Sequence, residues 1–551
     1  MHKSPSRSLL SVTALFALIY FVIAVSPDSV HGSNRFRNPL KREVLTDRKL
    51  PEKPFRTVVG EGVRRDSIVV KFSEGTDIRL RDGRLISLRG HDLGELRALL
   101  AQYRILEIRR AFVRPEQEFE EEKRRLQEVK GEELADFNLY YVFKIDPDKT
   151  EPEAFINDLN ALDVVEIARP QSIPVPFVAG VPYDIYPATP DFSGSGFQYY
   201  LDDPPFGIGA RWAWETPPYS QFSRGENVSL FHVEYLWNLN HEDLELYPSD
   251  LISGTVQSLP LDLDAEQHET AVIGEIIGYD NAYGITGIAN KTDIKLVSGY
   301  HFVDQPFTAA IDFAASKASP GDVLLLTVGE FGPTQDAQGN PLPCDTTCDP
   351  GGSNCYGVPY EYFLEDFDAV KAATDKGVIL VEAAGNGQAD LDHPVYGGRF
   401  NRTSVDSGAI IVGAGHPPYS GAEPLSPTCW SNHGSRVDVQ GWGEWVMTTG
   451  YGKFFDGDFD EQNPGGAIND ENQYYSYFSG TSAAAPIVAS AAAVIQGHYK
   501  NTLGWTYGLS PYTMRKLLTE TGTPQQVQTT SAPCRICRPR LQRTCRHPFL
   551  T

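Results

Sequence analysis

Short apolar runs without polar alternation recur through the second half of this 551-residue chain. They are VSLFHV (228–233), DIKLVSGY (293–300), DVLLLTV (322–328), GVILVEAA (377–384) and GAIIVGAG (408–415). Helix-prone stretches such as FTAAIDFAASKA and FLEDFDAVKAATDK lie between them. Strands that are apolar on both faces and alternate with helices are typical of a mostly parallel sheet sandwiched by helices. We therefore expect an α/β domain over residues 207–525, with functional groups at the carboxyl ends of its strands.

A different pattern precedes this domain. Between residues 66 and 172, the strand-like segments DSIVVKF, LYYVFKID and VVEIARP alternate with helix-prone segments such as EPEAFINDLNAL. This pattern predicts a small α+β domain. A basic linker over residues 33–65 precedes it, and a linker rich in proline and glycine over residues 173–206 follows it. The basic, cysteine-containing tail over residues 526–551 is expected to be disordered.

The N-terminus has the features of an export signal. Two basic residues precede an uncharged apolar run over residues 9–25, and small residues follow at the positions needed for a cut before Ser33. We predict a signal peptide over residues 1–32 and therefore a secreted protein. The apolar run is also close to membrane-spanning length, so an uncleaved type II membrane anchor is the alternative.

Composition narrows the range of partners. The formal net charge of −24 argues against binding to nucleic acid and favours a soluble monomer without stable membrane association. The chain has seven cysteines, which fits an oxidising compartment. Four of them could form two disulfides whose pairing the sequence does not fix: Cys344, Cys348, Cys355 and Cys429.

The segment FSGTSAAAPIVASAAAV (478–494) crowds small residues around the hydroxyl of Ser482. If a turn at Gly480 leads into a helix, Ser482 lies in its first turn, where unpaired backbone N–H groups favour developing negative charge. Three alanines then let the helix run deep into a core. A serine hydroxyl becomes a nucleophile only beside a base, so this segment alone fits a closely packed core helix equally well.

Two further residues could complete such a site. His268 in EQHETAVIGEIIGYD is the candidate base, placed between a predicted strand and a helix in which Gly274 permits close packing. Asn386 in VEAAGNG follows a buried strand, where its amide could bind an oxyanion. Each also has an ordinary explanation, because single histidines are common on surfaces and Asn-Gly is a common turn pair.

Taken in chain order, three motifs resemble those of the subtilisin-like serine proteases. They are H-x-T-x-x-x-G at His268, A-A-G-N-G at Asn386 and S-G-T-S-x-A-x-P at Ser482, and the similarity covers about residues 200–525. The resemblance implies a serine endopeptidase in which Ser482 is the nucleophile, His268 the base and Asn386 the oxyanion donor. It also implies a substrate-binding strand at Thr327, Val328 and Gly329.

The resemblance further implies a zymogen. The α+β domain over residues 66–172 takes the position of the family's propeptide, which acts as a folding aid and intramolecular inhibitor before it is cut away. The partners would then be polypeptide substrates and the chain's own propeptide. No cofactor is required and no catalytic metal is expected, while a structural calcium ion stays open without support from the sequence.

The chain departs from the family pattern at two positions. Seven residues before the His241–Leu244 segment stands Glu234, where the family has its catalytic aspartate. A glutamate can also orient the imidazole if its carboxylate reaches Nδ1. Glu269 replaces the glycine that usually follows the histidine, and we expect it to crowd the cleft or to add negative charge beside His268.

These departures leave other readings open. A catalytically impaired or dead homologue that binds peptides through the same cleft is the main alternative. The sedolisins share the S-G-T-S-x-x-x-P motif but pair their serine with a glutamate and an aspartate on one helix. The histidine motif at His268 argues against that family.

Overall fold

The computed structural model describes residues 45–46, 48, 53, 57, 59, 63–173, 175–176, 191–193, 197–254, 263–299, 306–343, 356–418, 420, 422–452, 454–456, 471–526 and 548–549. The predicted signal peptide and every cysteine except Cys429 lie outside these residues, so the disulfides stay a prediction. Within this part of the chain, no helix is both long and apolar enough to cross a membrane.

The N-terminal unit contains a four-stranded antiparallel sheet, a separate two-stranded sheet and packed helices. Its strands are β1 (Val63–Phe72), β2 (Ile78–Arg81), β3 (Arg84–Ser87), β4 (Ile105–Arg110), β5 (Tyr140–Ile145) and β6 (Val165–Ser172), and its helices are α1 (Gly94–Leu100), α2 (Glu116–Lys130) and α3 (Pro152–Asn160). The sheet order is β4-β5-β1-β6. Apolar side chains of β1 and β5 face Phe155, Ile156 and Leu159 of α3 in one buried cluster, as expected for strands with one face on a core.

The second unit contains the parallel sheet. Its strands are β8 (Ser229–Glu234), β9 (Leu251–Ser253), β10 (Asp293–Ser298), β11 (Val323–Leu326), β14 (Ile379–Ala383), β15 (Ile410–Gly415) and β16 (Val439–Trp442). They pair in parallel in the order β16-β15-β14-β11-β8-β10-β9. Most of these strands are buried along their whole length. The predicted α/β fold with a helix-covered parallel sheet is therefore confirmed.

The remaining elements surround this sheet. The helices are α4 (Ala210–Glu215), α5 (Leu263–Ile277), α6 (Thr308–Lys317), α7 (Leu364–Asp375), α8 (Thr481–Thr502) and α9 (Pro511–Thr521). The short strands are β7 (Val175–Pro176), β12 (Val328–Phe331), β13 (Gly357–Pro359), β17 (Val446–Thr449), β18 (Phe455–Asp456), β19 (Tyr474–Phe478), β20 (Thr523–Pro524) and β21 (Pro548–Phe549). Within the basic tail, β21 pairs with the edge strand β16 and with β20. An edge strand offers free backbone groups to such a segment.

Three arginines join the N-terminal unit to the second unit. Arg114 Nη2 lies 2.7 Å from Asp312 Oδ1 on α6, and Arg169 of β6 pairs with Glu365 on α7. The third is Arg48, in the stretch expected to be a linker, whose Nη1 lies 3.1 Å from Asp368 Oδ2 on α7. Because these pairs are largely buried, separation of the two units would leave the acidic partners without their counter-charges.

Helix α5 carries an unusual buried acid. Glu275 is fully buried, and neither of its carboxyl oxygens has a hydrogen-bond partner among the described residues. Burial raises the pKa of Glu275 well above its usual range. The carboxyl group is therefore held in its neutral form, since an isolated buried carboxylate is costly.

This burial predicts a pH dependence of stability. The folded chain holds the Glu275 proton more tightly than the unfolded chain does. The contribution of Glu275 to the free energy of unfolding is therefore greatest below about pH 4.3. It declines as pH rises, by up to about 1.4 kcal/mol per pH unit. Glu275→Gln is expected to flatten the decline between about pH 5 and 8. Urea unfolding midpoints measured across this pH range, with and without the substitution, give the difference. An identical pH slope with and without Glu275 would refute the assignment.

Candidate active site

The predicted site residues come together at the carboxyl edge of the parallel sheet. Glu234 ends β8, Asn386 follows β14 by three residues, and Ser482 is the second residue of α8. His268 lies on α5, and all four residues are buried. The carboxyl ends of parallel strands meet at one edge, which is where we expected functional groups to cluster.

The local structure around Ser482 explains its run of small neighbours. Helix α8 begins at Thr481, directly after Gly480. Gly480 has a φ of 117°, which glycine adopts readily and other residues rarely do. Ala483–Ala485 are fully buried. A Cβ at Gly441 of β16 would lie 2.6 Å from the Ala484 carbonyl oxygen, so helix and sheet touch without side chains between them. The Ser482 Oγ donates a hydrogen bond of 3.4 Å to the carbonyl of Thr327.

Helix α5 holds His268 in its second turn. The expected strand immediately before the histidine is wrong, because the helix already begins at Leu263 and includes the good helix formers that precede His268. The role of Gly274 in close packing is confirmed, since a Cβ there would lie 2.3 Å from Thr449 Oγ1 of β17. The His268 ring packs edge-on against Phe478, with 5.4 Å between the ring centroids.

Three titratable side chains meet at the end of β8, where Thr327 contacts both Glu234 and Ser482. One ligand-type atom each from Glu234, His268 and Glu269 lies within 4.8 Å of the other two, and all three residues are fully buried. Burial raises the pKa of Glu234 to about 8, while hydrogen bonds with Thr327 and Glu269 hold it lower. The sequence register therefore placed Glu234 within reach of His268, and Glu269 does enter the same space.

A directed chain of hydrogen bonds ends on Glu234. Trp237 Nε1, which can only donate, lies 3.0 Å from His232 Nδ1. A neutral His232 then carries its proton on Nε2, which lies 3.0 Å from Thr327 Oγ1. The Thr327 hydroxyl in turn donates to Glu234 Oε1 at 2.7 Å. These three residues fix one oxygen of Glu234 as a hydrogen-bond acceptor.

The sequence alone indicates only part of this series of hydrogen bonds. In the sequence, His232 lies two residues before Glu234 and therefore on the same face of an extended strand, whereas no sequence pattern connects Trp237 or the Thr327 hydroxyl with it. Burial lowers the pKa of His232 well below its usual range, which agrees with the neutral ring that the chain of hydrogen bonds requires.

Asn386 is oriented by the start of α8. Its Oδ1 accepts hydrogen bonds of 2.9 Å from both the backbone N–H and the hydroxyl of Thr481. Its Nδ2 is buried and has no hydrogen-bond partner among the residues that the structure describes. The Asn386 amide is thus held in place by Thr481, the residue before Ser482, while its N–H₂ group still lacks an acceptor. Such a donor can hydrogen-bond to an oxyanion that develops at Ser482.

The predicted substrate-binding strand is already paired. In β12, Val328 and Gly329 lie opposite Pro176 and Val175 of β7 in antiparallel register, and Gly329 also pairs with β13. Thr327 precedes β12 and turns its hydroxyl toward Glu234. Residues just after the N-terminal unit, within the expected linker, therefore occupy an edge that an extended peptide would use.

Two solved structures to which this chain is similar are distant matches. Fervidolysin from Fervidobacterium pennivorans, a keratinolytic enzyme related to subtilisin, matches with 17% identity and a TM-score of 0.48, over 87% of this chain and 60% of that chain. The epidermin leader peptide processing serine protease of Staphylococcus aureus matches with 14% identity and a TM-score of 0.44, over 83% and 92% of the two chains. This chain thus spans 60% of the length of fervidolysin. Likenesses this weak say nothing about its activity.

No curated protein matches the chain. The sequence profile of the subtilase family, Peptidase_S8, matches residues 250–535, which is more than half of the chain. The matched region contains His268, Asn386 and Ser482 and begins after Glu234. On this match, and in agreement with the parallel sheet that carries the site, the chain belongs to the subtilase family.

Proposed function

We propose that this protein is a secreted serine endopeptidase that is made as a self-processing zymogen. Membership of the subtilase family implies a serine peptidase that acts on polypeptides. The observation that carries the proposal is the convergence of four groups: a serine at a helix start, a buried histidine, a carboxyl group within reach of that histidine, and an oriented amide donor.

In the proposed reaction, Ser482 Oγ attacks the scissile carbonyl carbon while His268 takes the hydroxyl proton. His268 then returns this proton to the leaving amine, which gives an acyl-enzyme that water hydrolyses by the same steps. Glu234 orients the imidazole and stabilises its cationic form. The chain from Trp237 to Thr327 keeps one Glu234 oxygen as an acceptor, which leaves the other for this task.

The oxyanion would be held by two donors from different elements. Asn386 Nδ2 supplies one, and the backbone N–H of Ser482 at the start of α8 supplies the other. Because Thr481 already fixes Asn386 before any substrate binds, this donor needs no reorganisation as charge develops.

The N-terminal unit would serve as the propeptide and inhibitor. Two arrangements support this role: β7 pairs with the substrate-binding strand, and buried arginine–carboxylate pairs fasten the unit to α6 and α7. A chain segment on that strand blocks peptides from pairing there, so activity would follow cleavage and release of the unit.

Replacement of the oxyanion donor tests the proposal. Asn386→Asp keeps an oxygen for Thr481 but removes the amide donor, so kcat is expected to fall by about 10²–10³-fold with little change in KM. A fluorogenic peptide measures both constants, and an unchanged thermal unfolding midpoint serves as the control for folding. A wild-type kcat in a folded Asn386→Asp protein would contradict the assigned role.

A further inference from the structure

We propose that Glu234, His268 and Glu269 form a binding site for a divalent transition-metal ion, with Zn²⁺ as the best fit, and that the bound ion switches the peptidase off. The site itself needs only the geometry of these three side chains, whereas the inhibition rests on the proposed function.

The three residues supply a compact set of ligands. Two carboxylate oxygens and one ring nitrogen lie within 4.8 Å of one another. Ligands of a tetrahedral zinc ion, at bond lengths of about 2.0–2.2 Å, lie about 3.5 Å apart. Small rotations of the two glutamate side chains would bring the atoms to that spacing, since His268 and Glu269 are neighbours on one helix and Glu234 ends the adjacent strand.

The surroundings favour a cation at this point. All three residues are fully buried, and apart from its contact with Glu269, Glu234 Oε2 has no hydrogen-bond partner among the described residues. Thr327 holds only the other oxygen, Oε1. Two carboxyl groups that face each other in a buried space repel when both are ionised, and a divalent ion between them removes that repulsion.

The kinds of ligand select the metal. Imidazole nitrogen with carboxylate oxygens suits zinc and its transition-metal neighbours, whereas calcium and magnesium prefer sites made of oxygen alone. Three protein ligands leave a fourth position for water. Glu269 stands where the family has glycine, so the third ligand comes from a departure from the family pattern.

A bound ion would disable the base. It would occupy the ring nitrogen of His268 that faces the two acids, so Glu234 could no longer orient the imidazole. The positive charge would also oppose formation of the imidazolium that proton transfer from Ser482 requires.

Cobalt binding tests the site directly. Co²⁺ is added to the purified wild-type protein and to the Glu269→Gln and Glu275→Gln variants, and equilibrium dialysis with visible absorption reports stoichiometry and ligand field. Glu275 is the matched control because it lies on the same helix and is equally buried. We expect one ion per chain in the wild type and in Glu275→Gln, and affinity at least about tenfold weaker in Glu269→Gln, which loses one of three ligands.

Inhibition of peptide hydrolysis by Zn²⁺ is measured for each protein relative to its own metal-free rate. We expect this inhibition to be weaker in Glu269→Gln, in line with its weaker metal binding. Absence of Co²⁺ binding, equal binding in Glu269→Gln, or thiolate charge-transfer bands from the tail cysteines would overturn the proposal. If Glu269→Gln weakens Co²⁺ binding but the wild-type protein hydrolyses no peptide, the metal site would be supported and the proposed peptidase activity would not.

Discussion

A Ser482→Ala variant is expected to lose peptide hydrolysis by about 10⁶-fold and to keep its N-terminal unit uncut. The acyl-enzyme cannot form without the hydroxyl, and only binding and the oxyanion donors remain to accelerate attack by water. Turnover of a fluorogenic peptide and the intact mass of the purified chain measure the two effects.

Ser490→Ala is the matched control for this change. Ser490 is a fully buried serine on the same helix, two turns beyond Ser482. The Ser490→Ala variant should retain both peptide turnover and cleavage of the N-terminal unit. Normal self-processing of the Ser482→Ala chain, with no other protease present, would exclude Ser482 as the nucleophile.

A Glu234→Gln variant is expected to lose about 10⁴-fold in kcat/KM, while Glu234→Asp keeps most of its activity. The amide preserves the shape of the side chain but can no longer stabilise imidazolium, and its NH₂ group can hold His268 in the wrong tautomer. The aspartate restores the residue type usual in the family, at the cost of one methylene of reach.

The comparison of Glu234→Gln with Glu234→Asp separates the effect of the negative charge at position 234 from the effect of side-chain length. Steady-state kinetics at several pH values provide the measurement, since burial raises the pKa of Glu234 to about 8 and wild-type turnover should increase as this group ionises. Near-normal kcat/KM in Glu234→Gln would mean that a different group, or none, supports His268.

Sequence reasoning succeeded where local pattern decides the structure. Unbroken apolar runs predicted the buried parallel strands, and the small residues around Ser482 fitted a helix with Ser482 in its first turn, which the structure shows to begin at Thr481 and to pack directly on the sheet. The spacing from the His241–Leu244 segment placed Glu234 at the end of β8, because strand register fixes which residue reaches the carboxyl edge.

The parts that were missed depend on contacts between distant segments. Trp237 reaches back to His232 only because the chain turns sharply after β8. Thr327 lies 93 residues beyond Glu234 and contacts it because β11 pairs beside β8. The pairing of β7 with β12 joins residues more than 150 positions apart, and nothing in the composition of the linker marks Val175 and Pro176 as a strand.

The most direct test of Ser482 as the nucleophile is the reaction of the purified protein with a fluorophosphonate probe, followed by mass mapping of the labelled peptide. We expect one label, on Ser482, that is lost in Ser482→Ala and strongly slowed in Glu234→Gln. A correctly folded protein that takes up no label after release of its N-terminal unit would contradict it, and would identify the cleft as a peptide-binding site without catalysis.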